Sequence, residues 1–237
     1  MPALFATFYE LGSLVSEAEF IEWYENTFIP ARVTLPFLTS CSRWWSADDS
    51  VPRGAALYEL TSLDDLERNH GAIIDGMTDD DASVVARLGL VDARAYALRV
   101  SPRAGDGYDA MKPGPYASVV EMDVPEEMEA ELNRWYDEEH IPMLMKVQQW
   151  VRSRRFELKS TMVFGSDEAL KARVGGKRKV AKYLAIHEYT SLEAYETEEW
   201  KRAASTPWMK EVISRVMVFE RRVLKFDKSW KGSAQDQ

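Results

Sequence analysis

The chain repeats itself. Residues 20–32, FIEWYENTFIPAR, and 132–144, LNRWYDEEHIPML, share Trp-Tyr and, beginning five residues after the tyrosine, Ile-Pro. Trp23 and Trp135 stand 112 positions apart, as do Tyr24 and Tyr136, Ile29 and Ile141, Pro30 and Pro142, and Arg43 and Arg155. Further on, LYELTSLDDL (57–66) matches IHEYTSLEAY (186–195) at an offset of 129, so the second copy holds 17 extra residues, within KSTMVFGSDEALKARVGGKRKVAK. A fold for this chain has to be made of two like units.

Each copy reads as β-α-β-β-α-β. ALFATFYEL, FLTSCSRWW, GAALYELT and VDARAYALRV have the β-branched and aromatic content of strands, while SEAEFIEWYENTFIPARVTL and the segment opening SLDDLERNH have helical character. The second copy supplies YASVVEMDV, EEMEAELNRWYDEEHIPMLMKV, WVRSRRFEL, KYLAIHEYT, SLEAYETEEWKRAASTPWMKEVISR and VMVFERRVLKFD in the same order. The expected organisation is a first unit over 1–100, a Pro/Gly-rich linker over 101–115, a second unit over 116–228 and a flexible tail over 229–237. The fold class is α+β. A four-stranded antiparallel sheet with its helices on one face leaves the other face bare, and two ferredoxin-like units can cover each other by packing sheet to sheet.

Composition narrows the partners. A net charge of -9 disfavours nucleic acid, because a polyanion needs a basic face. The basic stretch KARVGGKRKVAK (171–182) lacks interleaved aromatics and reads as a solvated hairpin loop. One cysteine, Cys41, leaves no internal disulfide and fits packing better than nucleophilic chemistry. No window resembles a membrane span or a secretory leader, so the expectation is a cytoplasmic protein without a membrane partner. Three consecutive aspartates, 79–81, read as a solvated helix start, and His70 as a surface residue.

The doubled unit, with its WYxxxxIP helix and HEYTSLEA strand-to-helix junction, resembles the dimeric α+β barrel superfamily, and within it the EthD-like branch, whose helices often end in His-(Ile/Val)-Pro. The resemblance implies a pseudo-dimeric α+β barrel in one chain, with a cavity between sheet and helices for small hydrophobic or aromatic molecules. It further implies acid–base chemistry by a histidine with tyrosine or glutamate partners, without a cofactor. Because a tandem chain has already internalised the interface that single-unit relatives form by pairing, a monomer is favoured, with a homodimer as the alternative.

The copies differ at two telling places. Positions 20, 23, 24, 27, 28 and 31 form an inward helical stripe, and the matching stripe in the second copy is Leu132, Trp135, Tyr136, Glu139, His140 and Met143. His140 thus replaces Phe28. On the following strand pair, His187 replaces Tyr58, with Tyr183 and Tyr189 on its face and Glu188 on the other. Burying an imidazole in place of a phenyl ring costs on the order of 1–3 kcal/mol unless something compensates. The candidate catalytic set is therefore His140 as base, His187 as second acid–base group, and Tyr136 or Tyr189 as hydroxyl donor, with Glu139, Trp135, Met143, Tyr183 and Glu188 lining a substrate cavity in the second unit. The competing reading is a histidine satisfied by Glu139 or Glu188, and residues such as Trp135 and Tyr136 as plain core. No metal ligand set and no phosphate loop is present. The expected activity is a cofactor-independent cyclase, dehydratase or isomerase acting on a small hydrophobic or aromatic carbonyl compound, as in secondary metabolism. A cofactor-free monooxygenase and a non-catalytic small-molecule binder are the alternatives.

Overall fold

A computed structural model describes residues 2–68, 77–99, 103–106, 109, 112–175 and 180–236. In chain order the strands are β1 (Ala3–Glu10), β2 (Leu38–Ser46), β3 (Gly54–Leu60), β4 (Leu90–Leu98), β5 (Arg103–Ala104), β6 (Tyr116–Asp123), β7 (Trp150–Phe164), β8 (Tyr183–Tyr189) and β9 (Val218–Lys231). The α-helices are α1 (Glu17–Trp23), α2 (Ile29–Arg32), α3 (Leu63–Arg68), α4 (Asp79–Arg87), α5 (Glu129–Trp135), α6 (Ile141–Leu144), α7 (Glu168–Gly175), α8 (Glu198–Ala203) and α9 (Pro207–Ser214). Two compact units result: residues 1–98, 158–179 and 227–237 form the first, and 99–157 with 180–226 the second.

In the first unit the strand order is β4-β1-β3-β2, all antiparallel, with Phe5 opposite Tyr58 on β3 and opposite Ala95 on β4. The second unit repeats this order as β9-β6-β8-β7, with Ser118 opposite His187 and Ser153 on the far side of His187. Ser16 caps α1 and Thr78 and Asp81 close a reciprocal capping box on α4, so each helix starts where its side chains satisfy the free amides.

Both copies share a device that an α-helical reading misses. Between α1 and α2, Tyr24–Phe28 forms a π-helical turn, and Tyr136–His140 does the same between α5 and α6. The wider turn moves the inward stripe, so that Ile29 and Arg32 are buried whereas Thr27 and Ala31 face outward. In the second copy Ile141 and Leu144 are likewise buried and Met143 only half-buried.

The boundaries differ from expectation at three places. Residues 229–237 are no tail: β9 continues to Lys231, a 3-10 turn follows over Ser233–Asp236, and Trp230 packs edge-on against Tyr24 at 5.7 Å. The extra residues of the second copy lengthen β7 and add α7, where the sequence suggests a loop; 176–179 lie outside the described residues. This arm belongs to the first unit, seated through Ser166 and Asp167 amides donating to the carbonyls of Leu88 and Gly89. Gly165 makes the approach possible. Its φ is 144°, and a Cβ there would collide with the Gly89 carbonyl oxygen. Within the expected linker, β5 pairs with Ser153 and Arg152 of β7. Among the described residues no helix is long and apolar enough to cross a membrane.

Candidate functional site

The two histidines do meet in the second unit. Their ring centroids are 5.7 Å apart and nearly perpendicular, and Tyr136 lies 5.4 Å from His140 and 6.2 Å from His187, parallel to the latter. Trp135 stacks on His140 at 4.5 Å. His187 shares a 2.8 Å hydrogen bond between Nδ1 and Ser153 Oγ, and His140 hydrogen-bonds the Ala203 backbone. His140 Nδ1 and His187 Nε2 are buried without a partner. Burial first, with the positive charge of Arg155 adding to it, lowers the His140 pKa from 6.5 to about 4; the hydrogen bond that His140 donates to the Ala203 backbone works the other way. Burial followed by the neighbouring His140 pushes His187 down as well.

The other expected members disperse. Tyr136 donates to the Met122 thioether over 3.8 Å, and burial raises its pKa to about 12. Glu139 accepts from Trp135 Nε1 and from Thr206 Oγ1 at the α9 cap, so it ties two helices together. Tyr183 donates to Glu129 over 2.8 Å. Tyr189 packs in a separate small cluster with Tyr195, Val147 and Trp200. Glu188, fully buried, accepts from Arg152 Nε and Nη2, from Arg154 Nη2 and from the Gly114 amide. Neither glutamate satisfies a histidine. Arg152, Arg154 and Arg155 are all buried, and Arg155 stands 4.1 Å over the Tyr136 ring with Asn133 Oδ1 at 2.6 Å. His70 lies outside the described residues.

A neutral buried histidine has a sign-definite consequence. The unfolded chain's imidazole takes up a proton near pH 6.5 and the folded one only near about 4, so the unfolded state binds more protons between those values. Stability falls as the pH drops through that window, by about 3 kcal/mol for His140. His140→Phe is expected to flatten much of that slope in urea unfolding measured from pH 7 to pH 4; an unchanged slope would mean the ring is not buried neutral.

A cavity of about 560 Å³ lies in the first unit. Its wall is rich in aromatic rings: Phe5, Tyr9, Phe20, Trp23, Tyr24 and Phe28 all contribute, with Phe37 and Tyr58. Small side chains on the second helix leave room for it: α4 presents Ala82, Val85 and Ala86 to the cavity and β4 presents Ala93 and Ala95. In the second unit the corresponding helix, α9, brings the larger Trp208, Met209, Val212 and Ile213 to a cluster with Trp135 and Tyr136.

Polar groups in the wall are few and placed. The Tyr24 and Tyr58 hydroxyls are 2.9 Å apart, Tyr58 also bonds the Thr7 side chain, and the Tyr9 hydroxyl is buried without a partner. Burial raises all three tyrosine pKa values, so each remains a neutral hydroxyl at ordinary pH. Cys41, beside Tyr24, is pushed up to about 12 by burial and stays a thiol. Arg32, 5% exposed, lines the cavity, stacked 3.5 Å over Phe28; its Nη1 donates to the Phe28 carbonyl and to Asp81. Asp81, 1% exposed, also accepts from Trp23 Nε1 and from the Thr78 amide. Burial acts to raise its pKa, but the Thr78 amide, Trp23 and Arg32 together hold it below the usual value. It is a buried anchor rather than part of a solvated run. Arg32 and Tyr58 were not singled out from the sequence, and the run of alanines at 82, 86, 93 and 95 was the available signal.

No family model matches the chain, and no curated protein does. Solved structures do. An anthrone oxidase-like protein aligns over 97% of this chain and 92% of its own, with a TM-score of 0.63 at 12% identity. A candidate monooxygenase of Fusobacterium nucleatum aligns over 97% and 94% (TM-score 0.61, 11% identity). Another, of Lactobacillus acidophilus, covers 97% and 96% (TM-score 0.59, 11% identity). At such identities the likeness concerns the fold, and the fold is that of the dimeric α+β barrel.

Proposed function

We propose that the first unit's cavity binds a flat, largely apolar aromatic ketone and that the chain oxidises it with dioxygen, as a monooxygenase-type enzyme that needs no resident cofactor. The observation that carries this reading is the wall itself: aromatic rings and aliphatic side chains, with tyrosine, threonine and serine hydroxyls and one guanidinium as its polar contacts. Such a lining favours a planar ring system that offers an oxygen to hydrogen-bond donors. The anthrone oxidase-like and monooxygenase-like neighbours of the same fold support it.

The chemistry fits donors better than bases. A methylene flanked by aryl rings and conjugated to a carbonyl loses a proton to solvent, and the enolate oxygen so formed accepts from Tyr9 and from the Tyr24–Tyr58 pair. The enolate carbon adds dioxygen, and the resulting hydroperoxide, once protonated, loses water. The methylene becomes a carbonyl, and dioxygen is reduced to that carbonyl oxygen and one water. The test is direct: the protein is incubated with anthrone in air, while anthraquinone is followed by absorbance and oxygen uptake by electrode. Stoichiometric uptake with a rate reduced about 10²–10³-fold in Tyr9→Phe/Tyr58→Phe is the expected result. Binding with no product would leave a non-catalytic binder.

A second reading rests on a different observation, the partner-free nitrogens of His140 and His187 on rings 5.7 Å apart. There the second unit performs proton abstraction α to a carbonyl, as a cyclase or isomerase does, with the neutral His140 as base. His140→Phe separates the readings, since it would abolish turnover in this one and spare it in the first.

A further inference from the structure

Arg32 is only half used by the protein. Of its five N–H groups, those on Nη1 serve the Phe28 carbonyl and Asp81, at 3.0 and 3.3 Å. Nε and Nη2 are buried and have no partner. These two nitrogens lie along one edge of the guanidinium, and their N–H bonds run parallel, the geometry that receives both oxygens of a carboxylate. A buried donor left idle is destabilising, and a charged one more so, so an unoccupied edge of this kind is expensive for a protein to keep.

The surroundings hold that edge in place. Phe28 fixes the plane of the guanidinium from one side at 3.5 Å, and Asp81 fixes its other end. Asp81 is itself pinned by Trp23 and by its own helix cap, so the pair cannot simply rotate to bring the idle edge onto the carboxylate already present. Among the described lining residues Arg32 is the one charged group, in a wall whose other polar atoms are tyrosine, threonine and serine hydroxyls. We infer that the aromatic ketone of this cavity also carries a carboxylate, its rings among Phe20, Trp23 and Phe28 and its carboxylate paired with the Nε/Nη2 edge of Arg32. The inference rests on the cavity being the ligand site, and adds to it the charge and the shape of the ligand's polar end. A neutral isostere keeps the ring contacts and leaves the buried edge unpaired, which is the larger loss.

Two probes of nearly equal shape test this, 2-naphthoate and its methyl ester, titrated into the full-length protein at pH 7 by calorimetry. The acid is expected to bind at least about tenfold more tightly than the ester in the wild type. In Arg32→Met/Asp81→Asn, which removes both charges together so that no lone buried charge threatens folding, the preference disappears and the ester's affinity is retained; a melting curve confirms the fold. Equal binding of the two probes to the wild type overturns the carboxylate assignment and leaves the cavity reading standing. Binding of neither probe overturns both. A preference for the acid that persists in the double variant places the anion elsewhere and removes Arg32 from the proposal.

Discussion

Replacing Glu188 by alanine is expected to lower the unfolding free energy by about 3–5 kcal/mol, enough to unfold a marginal protein outright. The carboxylate is completely buried and is the shared acceptor of Arg152 and Arg154, themselves buried, as well as of the Gly114 amide. Removing it takes away the counter-charge that these two interior guanidinium groups share. Burial already acts to lower the Arg154 pKa, and Glu188 is what opposes it. The physical claim concerns stranded charge rather than lost attraction. Accordingly Glu188→Leu/Arg152→Met/Arg154→Met, which removes all three charges, should recover most of the loss. Guanidinium unfolding of the two variants decides the matter: a triple variant as unstable as the single one would show that shape, not charge, governs this cluster.

The second large effect concerns the cavity. Ala95→Phe is expected to weaken binding of any aromatic ligand by about 100-fold or more while leaving the melting temperature equal or raised. Ala95 faces the cavity from β4, opposite Phe5, and a phenyl ring there extends into space that α4 leaves open through Ala82, Val85 and Ala86. Filling an existing void recovers contacts that the wall lacks, whereas the same change in a packed core would cost about 1–3 kcal/mol. A ligand titration on Ala95→Phe thus reads occupancy and a melting curve reads packing. Loss of stability without loss of binding would mean that the void is not where ligands sit.

What the sequence made legible follows from which physical quantity each feature depends on. The duplication is a matter of residue identity at fixed offset, and the two copies do fold to the same strand order, with Tyr24 and Tyr136 at matching places. The meeting of His140 with His187 and Tyr136 was readable too, because strand alternation and helical spacing set it. The π turns were not: Tyr24–Phe28 has no composition that distinguishes it from an α-helix, yet it moved Arg32 inward and Thr27 outward. The first-unit cavity was not legible for a different reason: polarity points to Phe28 against His140, whereas this cavity depends on volume, on alanines at 82, 86, 93 and 95. Asp81 was hidden by its neighbours, since a run of three aspartates looks solvated although one of them is 1% exposed.

The first unit is assembled from three separated stretches, and Ser160, Thr161, Met162 and Phe164 close its cavity while Trp230 rests on Tyr24. During synthesis, a nascent chain that has just emerged through residue 98 therefore owns β1–β4 and α1–α4 of that unit but not α7 or the last part of the cavity wall. The aromatic interior stays uncovered until residues 160–164 have been made, an interval in which a hydrophobic face is available to other chains. A cavity walled by stretches so far apart in the chain is completed late.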